Sequence, residues 1–318
     1  MGMVILTVLL GVVFLTAAAE FIIRGSAGLT NRLGINPYWT GLVLVSLATA
    51  LPEISVSIQA MRMGQPSLAL GTIIGNNIVN FGLTMSLAAI VATLFVAWRA
   101  LNVVLIGLII GTIALIVMGW NGGISATEGL ILIALYLVFL VIAILGSKTD
   151  SPEVRHELQA LEGARNAPWL DVVFLVIGLV MLYFGSMWIV ERAPAIGRWM
   201  GMSPLLVGML PIALAITLPE VIMAIVGARR GHGDMIVGHV IGSSFINSTL
   251  VIGLLAVSAG NLYIPGGLLT FELPLAAIGA CLMYPMLRGD MRIERSEGIL
   301  LLITFFVWLG VELWMGAT

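Results

Sequence analysis

The sequence predicts an all-α integral membrane protein with ten transmembrane helices, folded as two inverted five-helix repeats. Three observations carry this expectation. The 318 residues are 60% hydrophobic and only 9% charged, with a mean hydropathy of +1.13. A soluble domain carries about 25% charged residues, so water cannot coat this chain. Second, one stretch occurs twice. Residues 34–80 slide onto 201–247 at a constant offset of 167, matching Gly34/Gly201, Pro37/Pro204, Gly41/Gly208, Pro52/Pro219, Glu53/Glu220, Arg62/Arg229, Gly64/Gly231, Gly71/Gly238, Gly75/Gly242 and Asn80/Asn247. Shared apolar bias could align Leu and Ile, but not Pro, Glu, Arg and Asn. Third, five spans separate the copies. An odd number makes the second copy enter the membrane from the opposite face, the arrangement expected of an alternating-access transporter.

A spanning helix needs about 20 apolar residues. Segments 3–23, 37–61, 67–95, 101–119, 126–146, 170–190, 203–227, 234–258, 266–287 and 297–316 meet that need. The first ends in Ala17-Ala18-Ala19, as a cleavable signal would. It lacks a basic leading region, and the repeat requires it as a helix, so it is expected to be retained. The second and seventh carry Leu-Pro-Glu, the third and eighth carry paired glycines and amides, and the rest are plain apolar spans. A polar stretch separates the halves, giving a first repeat over 1–146, a cytoplasmic linker over 147–169 and a second repeat over 170–318. In the linker, Ser151 as N-cap with Pro152 next would start a short amphipathic helix through Leu161. The lone Cys281 excludes an intramolecular disulfide and reads as a small packing residue.

Of the 14 Lys and Arg, all but Arg62, Arg192 and Arg198 fall in or near the loops after odd-numbered helices. The positive-inside bias therefore predicts extracytoplasmic termini in a multi-pass cell (plasma or inner) membrane protein. Acidic residues Glu20, Glu128, Asp171, Glu272 and Glu312 lie near span ends and are expected to be solvated or interfacial.

Glu53 and Glu220 lie deep in spans, where a carboxylate costs several kcal/mol unless paired, protonated or bound to a cation. No Lys or Arg lies inside the second, third, seventh or eighth spans to serve as counter-charge. Arg62 and Arg229 come nine residues later, about two and a half turns away. The balancing charge must be a mobile cation or a proton. Pro52 and Pro219 break the helical bonding one turn earlier, near Ala48 and Ala215, and free carbonyl oxygens suit a hard cation. Asn76 and Asn80 share a helix face, as do Ser243 and Asn247. Gly71, Gly75, Gly238 and Gly242 let helix backbones approach there. Thr49 and Thr217 add hydroxyls beside the prolines. His239, one turn before Ser243, reads first as a buried, hydrogen-bonded structural histidine, with a proton relay as the alternative.

These residues resemble the α1 and α2 repeats of the cation/Ca2+ exchanger superfamily, most nearly its Na+/Ca2+ exchanger branch. The family's motifs stand here as Ala48-Thr49-Ala50-Leu51-Pro52-Glu53 with Gly75-Asn76-Asn77-Ile78-Val79-Asn80, and as Ala215-Ile216-Thr217-Leu218-Pro219-Glu220 with Gly242-Ser243-Ser244-Phe245-Ile246-Asn247. The resemblance implies that Glu53 and Glu220 bind Ca2+. It implies that Thr49, Asn76, Asn80, Thr217, Ser243 and Asn247, with the carbonyls near Ser46 and Ala213, complete a site shared by Ca2+ and Na+. The chain departs from the family at Ala50, where Ser is usual, at Ile216, where Thr is usual, and at Asn76, where Ser is usual. Asn247 takes a place several members give to Asp, and His239 one usually held by Asn.

The expected function is a secondary active antiporter exporting Ca2+ in exchange for Na+, with H+ as the alternative counter-ion. A cation channel is disfavoured because inverted repeats within one chain do not ring a pore. An intramembrane hydrolase is disfavoured for want of a nucleophile–base constellation. No enzyme activity, cofactor or nucleic-acid partner is expected; the partners are the transported ions and the lipid bilayer.

Overall fold

The computed structural model describes residues 1–32, 46–96, 98–146, 168–229, 231 and 233–317. The helices are α1 (Gly2–Arg32), α2 (Ser46–Arg62), α3 (Pro66–Val91), α4 (Trp98–Gly119), α5 (Ala126–Gly146), α6 (Pro168–Met200) and α7 (Pro204–Arg229). Next comes α8, which runs as Gly233–Ile246, Asn247–Val251 and Ile252–Ala259, then α9, as Leu268–Glu272 and Leu273–Asp290, and α10 (Arg295–Ala317). Among the described residues, nine helices are long and apolar enough to cross a membrane. Helix α2 is the described part of the remaining span. The linker helix expected from Ser151 lies outside the described residues.

Helices α1 and α6 exceed the expected spans, at 31 and 33 residues. Arg24 and Arg32 were assigned to a loop but lie within α1, and Arg192 and Arg198 lie within α6. A hydropathy window closes at the first charges, whereas a helix continues while its backbone bonds are satisfied. Pro194 does not stop α6.

The repeat is visible element by element. Helix α2 matches Ala213–Arg229 of α7, and Pro66–Val79 of α3 matches Gly233–Ile246 of α8, both at the offset read from the sequence. Its inversion is visible in α1 and α6, which pack along their length. A Cβ built on Gly11 would stand 2.9 Å from the Gly185 carbonyl oxygen, and one on Gly178 would stand 3.0 Å from that of Ala18. As one chain ascends the other descends, so two repeat-related helices run antiparallel. Two short strand pairs repeat the exchange. Strand β1 (Leu94–Phe95) pairs with β4 (Arg292–Ile293), and β2 (Gly123–Ser125) with β3 (Asn261–Tyr263). Each strand thus pairs with one from the other half.

Glutamate side chains cap the starts of two plain spans. Glu128 accepts from the Ser125 N–H at 2.8 Å, and Glu297 accepts from the Glu294 N–H at 2.8 Å, at matching starts of α5 and α10. Outward side chains such as Val117, Leu130, Val138, Leu179, Ile303 and Val307 are exposed, as lipid contact allows. Trp120, Trp169, Trp199 and Trp314 are exposed near helix ends, where interfacial aromatics sit. Two expectations fail. Cys281 is exposed on α9 instead of packed inside. Glu272 and Glu312 are buried, at 4% and 2% exposure, and Asp171 is buried as well. Proximity to a span end did not solvate them, because neighbouring helices cover those faces.

Candidate functional site

Among the described residues, buried polar side chains are most concentrated where α2, α3, α7 and α8 meet. Glu53, Asn76, Asn80, Thr217 and Asn247 are wholly buried, Ser243 is 1% exposed and Glu220 7%. Close packing brings them together. A Cβ on Gly71 would strike the Leu205 carbonyl, and one on Gly75 the Met209 backbone. Helix α3 of one half therefore lies directly on α7 of the other. Gly208 answers from α7, against Leu68 and Thr72. The glycine expectation holds for α3. For α8, no described residue comes within 4 Å of a Cβ on Gly238 or Gly242.

Asn76 sits at the centre. Its Nδ2 donates to Glu53 Oε1 at 2.8 Å and to Thr217 Oγ1 at 2.9 Å. Its Oδ1 accepts from Asn80 Nδ2 at 3.0 Å and from Asn247 Nδ2 at 3.0 Å. The Thr217 hydroxyl donates to the Ala213 carbonyl oxygen at 2.7 Å. One amide thus links a glutamate of the first repeat to a threonine and an asparagine of the second. The expected carbonyl at Ala213 stands in this cluster through its bond with Thr217. Pro52 and Pro219 lie inside their helices, each immediately before its glutamate. The side chains of Thr49 and Ser46 lie outside what is described.

The two carboxyl groups are close enough to interact. On each glutamate the Oε2 has no hydrogen-bond partner among the described residues, and neither do Ser243 Oγ and Asn247 Oδ1. Buried acceptors without donors are rare in folded proteins and costly. Here they sit on helices that meet at Asn76, and oxygens of this kind are what a hard cation accepts as ligands. His239 Nε2 lies 3.3 Å from Glu220 Oε2. That is ion-pair distance, without the alignment of a hydrogen bond.

Sequence reasoning missed two parts of the site. Asn77 shares the Asn247 amide with Asn76 and joins the halves. It donates to Ser248 Oγ at 2.9 Å and accepts from Asn247 Nδ2 at 3.1 Å. Its place inside the repeated motif was the available signal; Ser248 gave none, since its counterpart is Phe81. The second is a π-helical turn that begins at Asn80 in α3 and at Asn247 in α8. Such wider turns occur at functional positions and rotate the following residues relative to a plain α-helix. No local sequence feature marked them.

Comparison with known proteins follows this geometry. The family model described as sodium/calcium exchanger protein matches residues 3–145 and 170–314, nearly the whole chain. The chain belongs to this exchanger family. The inner membrane protein YrbG of Escherichia coli (strain K12) is 30% identical over 325 residues, covering 96% of each chain. A solved structure of the sodium-calcium exchanger NCX_Mj is 26% identical, with TM-score 0.65, covering 96% of this chain and 99% of that one. A crystal structure of the H+/Ca2+ exchanger CAX shares the fold at 18% identity and TM-score 0.78, covering 99% of this chain and 85% of that one. The resemblance read from the repeats and the family match agree, and they make this exchanger-family chain a multi-pass membrane transporter.

Proposed function

We propose that the chain moves Ca2+ across the cell membrane in exchange for Na+ by alternating access. The observation that carries this reading is the gathering of Glu53 and Glu220 with unpartnered oxygens at the junction of four helices from both halves. Two carboxylates match the charge of one Ca2+. Neutral oxygens from Thr49, Asn76, Asn80, Thr217, Ser243 and Asn247, with the Ser46 and Ala213 carbonyls, would fill the six to eight positions that Ca2+ accepts. The relatives named for sodium/calcium exchange support Na+ as the counter-ion. Both termini would lie on the extracytoplasmic side, as the charge count predicts.

The geometry suggests how loading proceeds. Asn76 turns its Nδ2 toward Glu53 and gives its Oδ1 to Asn80 and Asn247. A cation arriving at Glu53 is repelled by that N–H. Loading would therefore turn the amide, releasing Asn80 and Asn247 to rearrange with it. Because these partners lie on both repeats, the ion's arrival is felt by both halves. Bare paired carboxylates in low dielectric are too costly to carry across the bilayer, so the site would reorient only when loaded.

A second reading keeps the architecture and makes H+ the counter-ion. It is favoured by the interaction between Glu53 and Glu220, two carboxyl groups that protons could neutralise in place of Ca2+, and by His239 beside Glu220. The losses of side-chain oxygen at Ala50 and Ile216, both buried, point the same way. Ca2+ uptake into proteoliposomes under separately imposed Na+ and H+ gradients tests the reading. Na+-driven uptake at clamped pH supports the first; a response to pH alone supports the second; uptake under neither gradient defeats both.

A further inference from the structure

We infer that Glu272 on α9 and Glu312 on α10 form a second ionisable site, apart from the cation site, which binds one proton between two carboxyl groups and fastens the two helices while that proton is held. Both side chains are buried, at 4% and 2% exposure, and their carboxyl groups lie within hydrogen-bonding reach of each other. The repeat does not account for them. At the matching places in the first half stand Leu105 and Leu145, so the fold itself is served there by apolar residues.

A carboxylate only accepts hydrogen bonds, so two of them cannot bond to each other unless one carries a proton. No positive charge stands by to hold two anions together. Among the described residues, α3 has no charged or titratable side chain between Pro66 and Val91. Helix α4 meets this end of α9 where Leu269 lies against Gly119, and its Arg99 stands at the opposite end. On α9 the next titratable group is Cys281, nine residues on, and on α10 it is Glu297, fifteen residues back. Those separations are about 13 and 22 Å along the helices. Two like charges in contact in a low-dielectric interior do not both ionise. One shared proton is the state that fits.

Trp308 favours a proton over a metal ion. It lies one turn before Glu312, is 2% exposed, and brings Nε1 close to the Glu312 carboxyl without the alignment of a full hydrogen bond. An indole N–H only donates. Turned toward the pair, it stabilises one retained negative charge and would repel a metal ion. Glu272 Oε2 and Glu312 Oε1 have no donor among the described residues, and a hydrogen held between the groups supplies one.

Helix α9 packs mainly on α4, and α10 on α3, with little direct contact between α9 and α10. The carboxyl pair thus links two helices that otherwise lean on different neighbours. Loss of the proton would leave two anions in contact and open the link. Phe305, 5.7 Å from Trp308 between ring centres, lies against Gly82, inside the π turn that begins at Asn80. Opening would therefore loosen α10 at the edge of the cation site.

Thermal unfolding of the purified protein in detergent, followed from about pH 6 to about pH 9, tests the inference. Where the folded state holds more protons than the unfolded one, stability falls as pH rises. Solvated glutamates of the unfolded chain are ionised throughout that range, so the shared proton should make the unmodified protein weaker at the alkaline end. Glu312→Gln keeps the volume and puts an amide N–H where the proton lay, holding the same single charge without titrating. The melting temperature of the unmodified protein should fall more steeply than that of the variant, by roughly 2 °C per pH unit. Glu272→Gln, the mirror change, should behave as Glu312→Gln does and keeps the test open if one variant fails to fold. Glu53, Glu220 and His239 are common to all three proteins and cancel in the comparison. A purely structural contact predicts parallel curves, and parallel curves would overturn the inference. So would a rise in melting temperature with Na+ or Ca2+ at the alkaline end that both variants lose, since the pair would then be a metal site. Neither measurement involves transport, so the outcome is separate from whether the chain exchanges Ca2+.

Discussion

Asn76 on α3 donates to Thr217 on α7 at 2.9 Å, across the boundary between the two halves. The same nitrogen reaches Glu53 at 2.8 Å, so the hydroxyl of one repeat helps to aim the carboxylate partner of the other. Thr217→Val removes the hydroxyl at nearly constant volume. It leaves the Ala213 carbonyl and one Asn76 N–H without that partner, a loss of about 1–3 kcal/mol for buried polar groups. Half-saturating Ca2+ should rise by about tenfold in an uptake assay, with the protein still inserted. An unaltered Ca2+ dependence would remove Thr217 from the site.

Close approach of α3 and α7 predicts a steric asymmetry. Gly75→Val would drive a side chain into the Met209 backbone, and overpacking costs about 1–3 kcal/mol or more. Gly279→Ala on α9 meets no described residue within 4 Å. Thermal unfolding in detergent should show a clear loss for the first and little change for the second. Equal behaviour would mean that the α3–α7 contact is not needed for the fold.

The counter-ion can be probed through the lost oxygens. Ala50 and Ile216 are both buried, and Ala50→Ser with Ile216→Thr would return two hydroxyls to the turns before the prolines. With Na+ as the counter-ion, less Na+ should drive the same Ca2+ flux, because hydroxyls replace hydration the ion gives up. With H+ as the counter-ion, the Na+ response should stay as it was.

Selectivity against Mg2+ follows from the number of available oxygens. Carboxylates, amides and hydroxyls on proline-containing and π-turned helices form an adaptable cage. Mg2+ requires a tight octahedron and releases water reluctantly. In competition with Ca2+ uptake, Mg2+ should be the weaker ion by a wide margin, and equal potency would contradict the cage.

Much of this architecture was legible because the repeat carries residues that a membrane helix does not tolerate casually. Pro52-Glu53 and Pro219-Glu220 marked the centre of the fold, and paired glycines on α3 marked where the halves touch. The rest depended on contacts that local sequence does not encode. Asn77 and Ser248 meet across a separation of 171 residues, and Ser248 has no counterpart in the first repeat. Helices α1 and α6 outran their hydropathy because each finds a partner in the other. Glu272 and Glu312 looked peripheral by position along their helices, yet packing covers them. The π turns at Asn80 and Asn247 arise from how α3 and α8 pack, and nothing in their residue types announces them.

The central claim is that Glu53 and Glu220 together bind the transported divalent cation, and calorimetric titration of Ca2+ into the purified protein tests it most directly. Glu53→Gln and Glu220→Gln each keep the side-chain volume and remove half of the site's negative charge. Each should lower Ca2+ affinity by roughly 100-fold or abolish measurable binding, since affinity depends strongly on ligand charge. Thermal unfolding should show both variants still folded. Ca2+ binding of unmodified strength in either variant would contradict the account and put the cation site elsewhere.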